Sequence, residues 1–541
     1  MSPAGPAAGT VAEQTFEVLR HHGLTTMFSN PGSTEVPFLA LLPDDFTFIL
    51  GLHEGSVVGM ATGYAIANDR AALVLVHTTA GLGNAVAGIA TARVNRAPLV
   101  VVVGQQDRRH LAFEPFLTGR LAGLAGDYPL AVLEPGRGAD VPAAIARAAF
   151  TAEQGRGPVI VIVPMSDWLE AAEPDAMAAP ARVTVAAPTT SDAVHDVAAI
   201  LRDARSPALV VGAGMDTEAG WAAAVELAEL LGAPVRLEPF GARAAFPQDH
   251  PLYAGQVPAD RTRVREAFGT HDAVVVLGTA ALRQYPYQEG PLFPPGTRVV
   301  LMTADAAEAN RSPAELAIVG DPAALTQQMA AALMALGVAP PEPAAQRTER
   351  VREIRSEGPL RAADVFALMA DLLPEDAVVI EESPSSRPVL QAMLPARRPL
   401  SFLSAAMGGL GFALPAAIGV RMALPERPVV AVVGDGSSLY CIQALWTAAS
   451  TGTGALFIVL ANGGYAVMDR LAEQRNAKPA WPAFPEVSVR TLAGGFGVEA
   501  VRVDDHEHLA ALLADVLPSL AGRSTPLLIE VGVAADTTFQ P

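Results

Sequence analysis

Val429-Val430-Ala431-Val432-Val433-Gly434-Asp435-Gly436-Ser437-Ser438 runs from an apolar, β-branched stretch directly into an acid flanked by glycines. Such a stretch fills a strand buried on both faces, the habit of a central parallel strand. Gly434 and Gly436 free the main chain to turn on either side of Asp435. The pattern predicts a helix starting near Ser437, whose unpaired N–H groups face an anion with no Cβ in the way. A second strand-like run, Leu456–Leu460, leads to Ala461-Asn462-Gly463-Gly464-Tyr465. A strand–helix–strand unit would return Asn462 to the sheet edge that carries Asp435. An Asp oxygen, the Asn462 amide oxygen and the Gly464 carbonyl are hard ligands of the kind Mg²⁺ takes beside a diphosphate. Gly-Asp-Gly alone reads equally well as a strand-to-helix turn with a capping Asp; the second strand with its Asn-Gly-Gly is what favours the cradle.

The same alternation extends outward. Leu73–Val76, Leu99–Val103 and Val159–Val163 have strand length and are separated by helical stretches. That predicts an α/β fold of doubly wound parallel sheets with helices on both faces and ligands beyond the carboxyl ends of the strands. With 541 residues the chain is too long for one core. Two stretches without apolar period, Ala171 to Asp192 and Gly337 to Arg350, divide it into thirds. The expected domains are residues 1–175, 190–338 and 350–541.

Hydrophobic residues make up 51% and charged residues only 17%, yet no run is long enough to span a bilayer. A net charge of −19 argues against nucleic acid, whose phosphates need a basic face. The single cysteine, Cys441, excludes an internal disulfide and any cysteine metal cluster. Met1 to Thr10 lacks a basic region and an apolar signal core, so a cytoplasmic location is expected.

Several further stretches, in order and spacing, resemble the thiamine diphosphate (ThDP) dependent 2-oxo acid decarboxylases and acetolactate synthases, benzoylformate decarboxylase above all. They are Phe28-Ser29-Asn30-Pro31-Gly32-Ser33, His77-Thr78-Thr79-Ala80-Gly81-Leu82-Gly83-Asn84 and Gly408-Gly409-Leu410-Gly411-Phe412-Ala413-Leu414-Pro415. The resemblance covers nearly the whole chain. It implies a pyrimidine-binding first domain, a middle domain and a diphosphate-binding third domain. It also implies ThDP and Mg²⁺ as cofactors, and a homodimer or homotetramer with ThDP between the first domain of one subunit and the third of another.

Carried onto this chain, the resemblance gives Glu54 the activation of the cofactor, a task for a carboxylate held in a dry site. Its plain alternative is a first-turn Glu favoured by the helix dipole. His77, at a strand end, would pass protons; a hydrogen-bonded structural role is its alternative. Ser33 would orient the substrate carboxylate, or cap a helix ahead of Glu35. The carbonyl of Gly408 would meet the pyrimidine and Leu410 would wedge beneath the cofactor. Ser385, with Gly434, Asp435, Gly436, Ser437, Asn462, Gly464 and Tyr465, would hold the diphosphate end, and Asp435, Asn462 and Gly464 the metal.

Departures from the family bear on substrate. In Gly278-Thr279-Ala280-Ala281-Leu282-Arg283-Gln284-Tyr285-Pro286-Tyr287, Tyr285 stands where the benzoylformate decarboxylases place a histidine. A phenol is rarely ionised near neutral pH, so slower proton delivery would give an acceptor aldehyde time to react and would favour carboligation. Phe116 and Leu117 keep an apolar wall. Ser404 and Leu471 replace expected phenylalanines, which implies a wider or more polar pocket. Arg387 is read as a solvated arginine, or as the partner of a second acidic group on the substrate. Ala461 replaces the first Asn of a usual Asn-Asn pair.

The leading expectation is decarboxylation of an aryl or bulky 2-oxo acid to an aldehyde, with a carboligase or lyase acting on aldehydes as the alternative. A flavin or nucleotide protein is a third reading, from Val210-Val211-Gly212-Ala213-Gly214-Met215-Asp216, although Thr217 and Glu218 stand where a third glycine is needed. A non-catalytic scaffold of the same fold would be marked by loss of Glu54, Asp435 or Asn462, and all three are present.

Overall fold

The computed structural model describes residues 9–173, 192–342 and 357–535. The two linker stretches lie largely outside these residues. Each third of the chain holds one six-stranded sheet in which every paired strand runs parallel. The first comprises β1 (Thr26–Asn30), β2 (Thr47–Leu50), β3 (Ala72–Val76), β4 (Leu99–Gln105), β5 (Ala131–Leu133) and β6 (Pro158–Pro164). The second comprises β7 (Pro207–Val211), β8 (Val235–Leu237), β9 (Tyr253–Gln256), β10 (Ala273–Leu277), β11 (Arg298–Thr303) and β12 (Leu316–Val319). The third comprises β13 (Val378–Glu382), β14 (Phe402–Ser404), β15 (Val429–Gly434), β16 (Leu456–Ala461), β17 (Glu499–Val503) and β18 (Leu527–Gly532). The expected α/β fold with three parallel-sheet domains is what the chain adopts.

Strand order decides where ligands can sit. In the first sheet it is β2-β1-β3-β4-β6-β5, in the third β14-β13-β15-β16-β18-β17. The chain turns one way after β1 and the other way to reach β3, and does the same around β13, β14 and β15. Such reversals open a crevice at the carboxyl ends of the strands. Asn30 pairs with Val76 at the first of these and Glu382 with Val433 at the second.

The three sheets do not stand apart. One apolar cluster joins Val57, Met60 and Ala61 of the first domain to Leu414, Ala417 and Ile418 of the third. Another joins the middle and third domains. The first junction is a close crossing of the helices Glu54–Asn68 and Ala413–Ala423. Small residues permit it: a Cβ on Gly63 would lie 2.2 Å from the Ala416 carbonyl oxygen, and one on Gly419 1.9 Å from that of Met60. Asn95 spans the same junction, donating to the Ser404 carbonyl and accepting from the Ala406 N–H, both at 2.9 Å.

In the middle domain the Gly-x-Gly turn after β7 has a packing role. A Cβ on Gly212 would strike Thr279 at 2.4 Å, and one on Gly214 the Gly278 carbonyl at 2.7 Å. Thr279 donates to the buried Glu238 beneath that turn. Close approach of β7 and β10 therefore accounts for both glycines. No helix among the described residues is long and apolar enough to cross a membrane.

Candidate active site

Two groups of predicted residues form on the carboxyl edges of the first and third sheets. On the first, Glu54 opens its helix behind His53, whose Nδ1 accepts from the Gly55 N–H at 3.0 Å. The Glu54 side chain is 6% exposed. Its two oxygens accept from Asn30 Nδ2 at 3.1 Å and Asn84 Nδ2 at 3.0 Å. Neutral donors hold the carboxylate without a cation, and each oxygen keeps acceptor capacity for an incoming group.

His77 follows β3 and precedes the helix Thr78–Val94. Its Nδ1 lies 3.0 Å from Glu35 Oε2 and 2.9 Å from Thr34 Oγ1. Glu35 is 1% exposed and also accepts from the Gly32 N–H at 2.7 Å. Two glycines make room for this pair. A Cβ on Gly32 would enter the His77 ring, and one on Gly104 would collide with the Glu35 carboxylate. Ser33 is exposed beside Gly32 and does not cap a helix; the helix Val36–Leu39 has Glu35 at its N-cap position. The expected Ser33 cap is thus corrected: the N-cap position falls two residues later, at Glu35, and the Ser33 hydroxyl is left at the surface.

On the third sheet Asp435, Asn462 and the Ser383–Ser386 turn come from adjacent strands. A cavity of 560 Å³ opens between them. Its wall includes Ser385, Gly408, Leu410, Gly434, Asp435, Gly436, Ser437, Asn462, Gly464 and Tyr465. Asp435 is buried; its Oδ1 accepts from the Gly436 N–H at 2.8 Å and its Oδ2 from the Gly463 N–H at 2.7 Å. Burial pushes this carboxyl above its ordinary value in spite of those donors. Asn462 Oδ1 accepts from the Gly464 N–H at 3.1 Å. The helix expected to start near Ser437 is a single turn, Asp435–Ser438, and the chain bends again before the helix Ala444–Ser450. One N–H there, that of Gly436, is given to Asp435.

The residues fit a diphosphate with a divalent cation. Among the described residues no three His, Cys, Asp or Glu side chains cluster to hold a metal; one carboxylate, one amide oxygen and a backbone carbonyl are the oxygen ligands this turn would offer a hard cation. A Cβ on Gly408 would meet no atom within 4 Å, and one on Gly464 only Asp469 Oδ2 at 4.0 Å, which leaves that side of the wall open.

Other expectations end elsewhere. Ser404 is buried, its hydroxyl donating to the Gly241 carbonyl at 3.2 Å and accepting from Arg387 Nη2 at 2.9 Å. Arg387 also donates to the Gly241 carbonyl at 3.0 Å and stands 3.4 Å from Glu381 Oε2. Both readings of Arg387 as a free cation, and that of Ser404 as pocket wall, are corrected: the two side chains tie the third domain to the middle one. Tyr285 is 64% exposed on the middle domain, its ring against Phe240 at 6.3 Å. Phe116 is 85% exposed on a loop whose end is pinned by Gln105, which donates to the Gly119 carbonyl at 2.7 Å; Leu117 sits in that loop with φ +69°. Leu471 lies on the helix Ala466–Gln474, the first residues of which line the cavity.

Glu35, Thr34, Asn84 and Glu382 were not among the predicted residues. Glu35 and Asn84 stand within or next to the quoted motifs, and only the β1–β3 pairing brings Glu35 to His77.

Family comparisons agree with this division. Models of the thiamine pyrophosphate enzymes match as the N-terminal TPP binding domain over residues 9–122, the central domain over 194–329 and the C-terminal TPP binding domain over 385–531. A benzoylformate decarboxylase of Pseudomonas aeruginosa is 38% identical across 96% of this chain and 98% of its own. A ThDP-dependent 4-hydroxybenzoylformate decarboxylase of Rhodococcus jostii RHA1 superposes with a TM-score of 0.91 at 35% identity, covering 98% of this chain and all of that one. The benzoylformate decarboxylase of Polynucleobacter necessarius gives 0.91 at 30% identity, with 98% and 100% coverage. The chain therefore belongs to the thiamine diphosphate-dependent 2-oxo acid decarboxylase and acetolactate synthase family, as a benzoylformate decarboxylase-like member.

Proposed function

We propose that this protein removes CO₂ from an aryl or bulky 2-oxo acid and releases the aldehyde, as a cytoplasmic homodimer or homotetramer using ThDP and Mg²⁺. The observation that carries the reading is the gathering of ten chemically matched residues, from four separate strand ends and turns, around the 560 Å³ cavity. Asp435, Asn462 and the Gly464 carbonyl would hold the metal, and Ser385, Gly434, Gly436, Ser437 and Tyr465 the diphosphate end. Gly408 and Leu410 would form the opposite wall. Bound there, the cofactor supplies the sink for the electrons that the departing carboxylate leaves behind.

The remaining roles belong to the first domain. Glu54, dry and held by two amides, can gain and lose a proton at its free lone pairs. With Glu35 as acceptor, His77 carries its proton on Nδ1, which leaves Nε2 to move protons at the reacting carbon. The Ser33 hydroxyl is free to meet the substrate carboxylate, and Phe116 and Leu117 offer an apolar surface to its aryl group. Glu54 does not line the cavity of its own chain. In the homodimer or homotetramer of this reading a second copy would bring Glu54 to that cavity, so the active unit would be at least a dimer.

Tyr285 favours a second reading, in which the product carbon joins an acceptor aldehyde instead of a proton. One experiment separates the two: CO₂ release and product identity on benzoylformate and on larger or charged 2-oxo acids, each with and without acceptor aldehyde. Aldehyde from an aryl 2-oxo acid regardless of acceptor supports the decarboxylase. Acyloin that forms only with acceptor replaces it with the carboligase. No CO₂ from any acid defeats the decarboxylase.

A further inference from the structure

β13 ends in two consecutive buried acids, Glu381 and Glu382. Neighbours on a strand point to opposite faces, and these two reach different turns. Glu381 accepts from the Ser383 N–H at 2.6 Å and pairs with Arg387. Glu382 accepts from three successive N–H groups: Gly411 at 2.6 Å, Phe412 at 2.6 Å and Ala413 at 2.7 Å. Those donors open the helix Ala413–Ala423, where an anion is favoured and the N–H groups have no partner within the helix. The turn they belong to holds Gly408 at φ +73° and Gly411 at φ +93°; glycine reaches these conformations without strain but is free to leave them, so contacts outside the turn must select them. Burial, with a smaller push from Glu381, raises the Glu382 carboxyl to about 7.

The two turns anchored in this way are two walls of one cavity. Ser383, Pro384, Ser385 and Ser386 line one side, Gly408 and Leu410 another. We propose that Glu382 is the positioning residue of the cofactor site: by gripping Gly411–Ala413 from the end of β13, it fixes the Gly408–Leu410 wall against the Ser383–Ser386 wall and so sets the affinity for ThDP without touching it. This rests on the reading of the cavity as the cofactor site.

Isothermal titration of ThDP with Mg²⁺ into apoenzyme tests it, alongside thermal unfolding of each apoprotein and kcat at saturating ThDP. Glu382→Gln keeps an acceptor oxygen and the side-chain shape but loses the charge; Glu382→Ala removes the grip. Loss of hydrogen bonds to a charged group predicts ThDP binding weaker by about tenfold or more in Glu382→Ala, partly rescued in Glu382→Gln, with kcat at saturation within about twofold of wild type. If Glu382→Ala fails to fold, the Gln variant carries the test. Wild-type ThDP affinity in the folded variants, even with a lower melting temperature, overturns the proposal and leaves the cofactor site standing. Wild-type protein that takes up no ThDP overturns both.

Discussion

Glu54 shows how little separates a helix-capping acid from one held for the proposed chemistry. It sits in the first helical turn, as a dipole-stabilised Glu would, yet its oxygens meet the amides of Asn30 and Asn84 from two other elements. Both of these donors are neutral amides, and neither is a cation. Glu54→Gln preserves the size and one acceptor oxygen, so the fold should hold, while the side chain can no longer exchange a proton. Turnover of a 2-oxo acid substrate should fall by about 10²-fold or more, with a near-wild-type circular dichroism spectrum and melting temperature. Equal activity would remove Glu54 from the chemistry. His77 is a parallel case, since its orientation depends on Glu35, a residue that lies in sequence among helix-start signals.

At the scale of elements, the crossing of Glu54–Asn68 with Ala413–Ala423 joins the first and third domains. One helix begins with Glu54, and the other begins where Glu382 ends β13. Gly63 and Gly419 let the backbones touch, and neither position has space for a methyl group. Gly63→Ala gains helix propensity of up to about 1 kcal/mol. It must also push Ala416 aside, an overpacking cost of about 1–3 kcal/mol. The balance predicts a lower melting temperature by scanning calorimetry, and weaker ThDP retention if the two domains shift together. Ser404 and Arg387 act similarly at the other junction, where the Arg243 and Leu403 backbones form an antiparallel bridge. Their polar atoms serve domain docking.

For the whole molecule, the location of Glu54 outside its own cavity sets the main expectation. If the proposed inter-subunit site holds, Glu54→Gln and Asp435→Ala would each lack one half of it and neither should be active alone; the second should fail chiefly in retaining cofactor. Mixed, dissociated and reassembled, the two variants should then regain activity, because under that proposal a hybrid would place a wild-type Glu54 against a wild-type Asp435 from the other copy. Persistent inactivity of verified hybrids would show that each chain completes its own site.

The sequence alone determined a good deal, because the signals involved are local. Buried parallel strands read as β-branched runs, and glycines mark sharp turns wherever they occur. The Gly-Asp-Gly and Asn-Gly-Gly turns therefore pointed to the third-domain strand ends that line one cavity, and the strand-helix alternation disclosed three sheets. Long-range pairing was a different matter. That Glu35 backs His77 follows from β1 lying beside β3, and that Glu382 grips Gly411 follows from where the chain doubles back after β14. Arg387 looked solvated because its partners, Glu381, Ser404 and Gly241, converge on it only across a domain junction. Side chains that bond within a few residues leave a trace in local pattern; those whose partners arrive through sheet order and domain docking do not, and only the tertiary structure decided them.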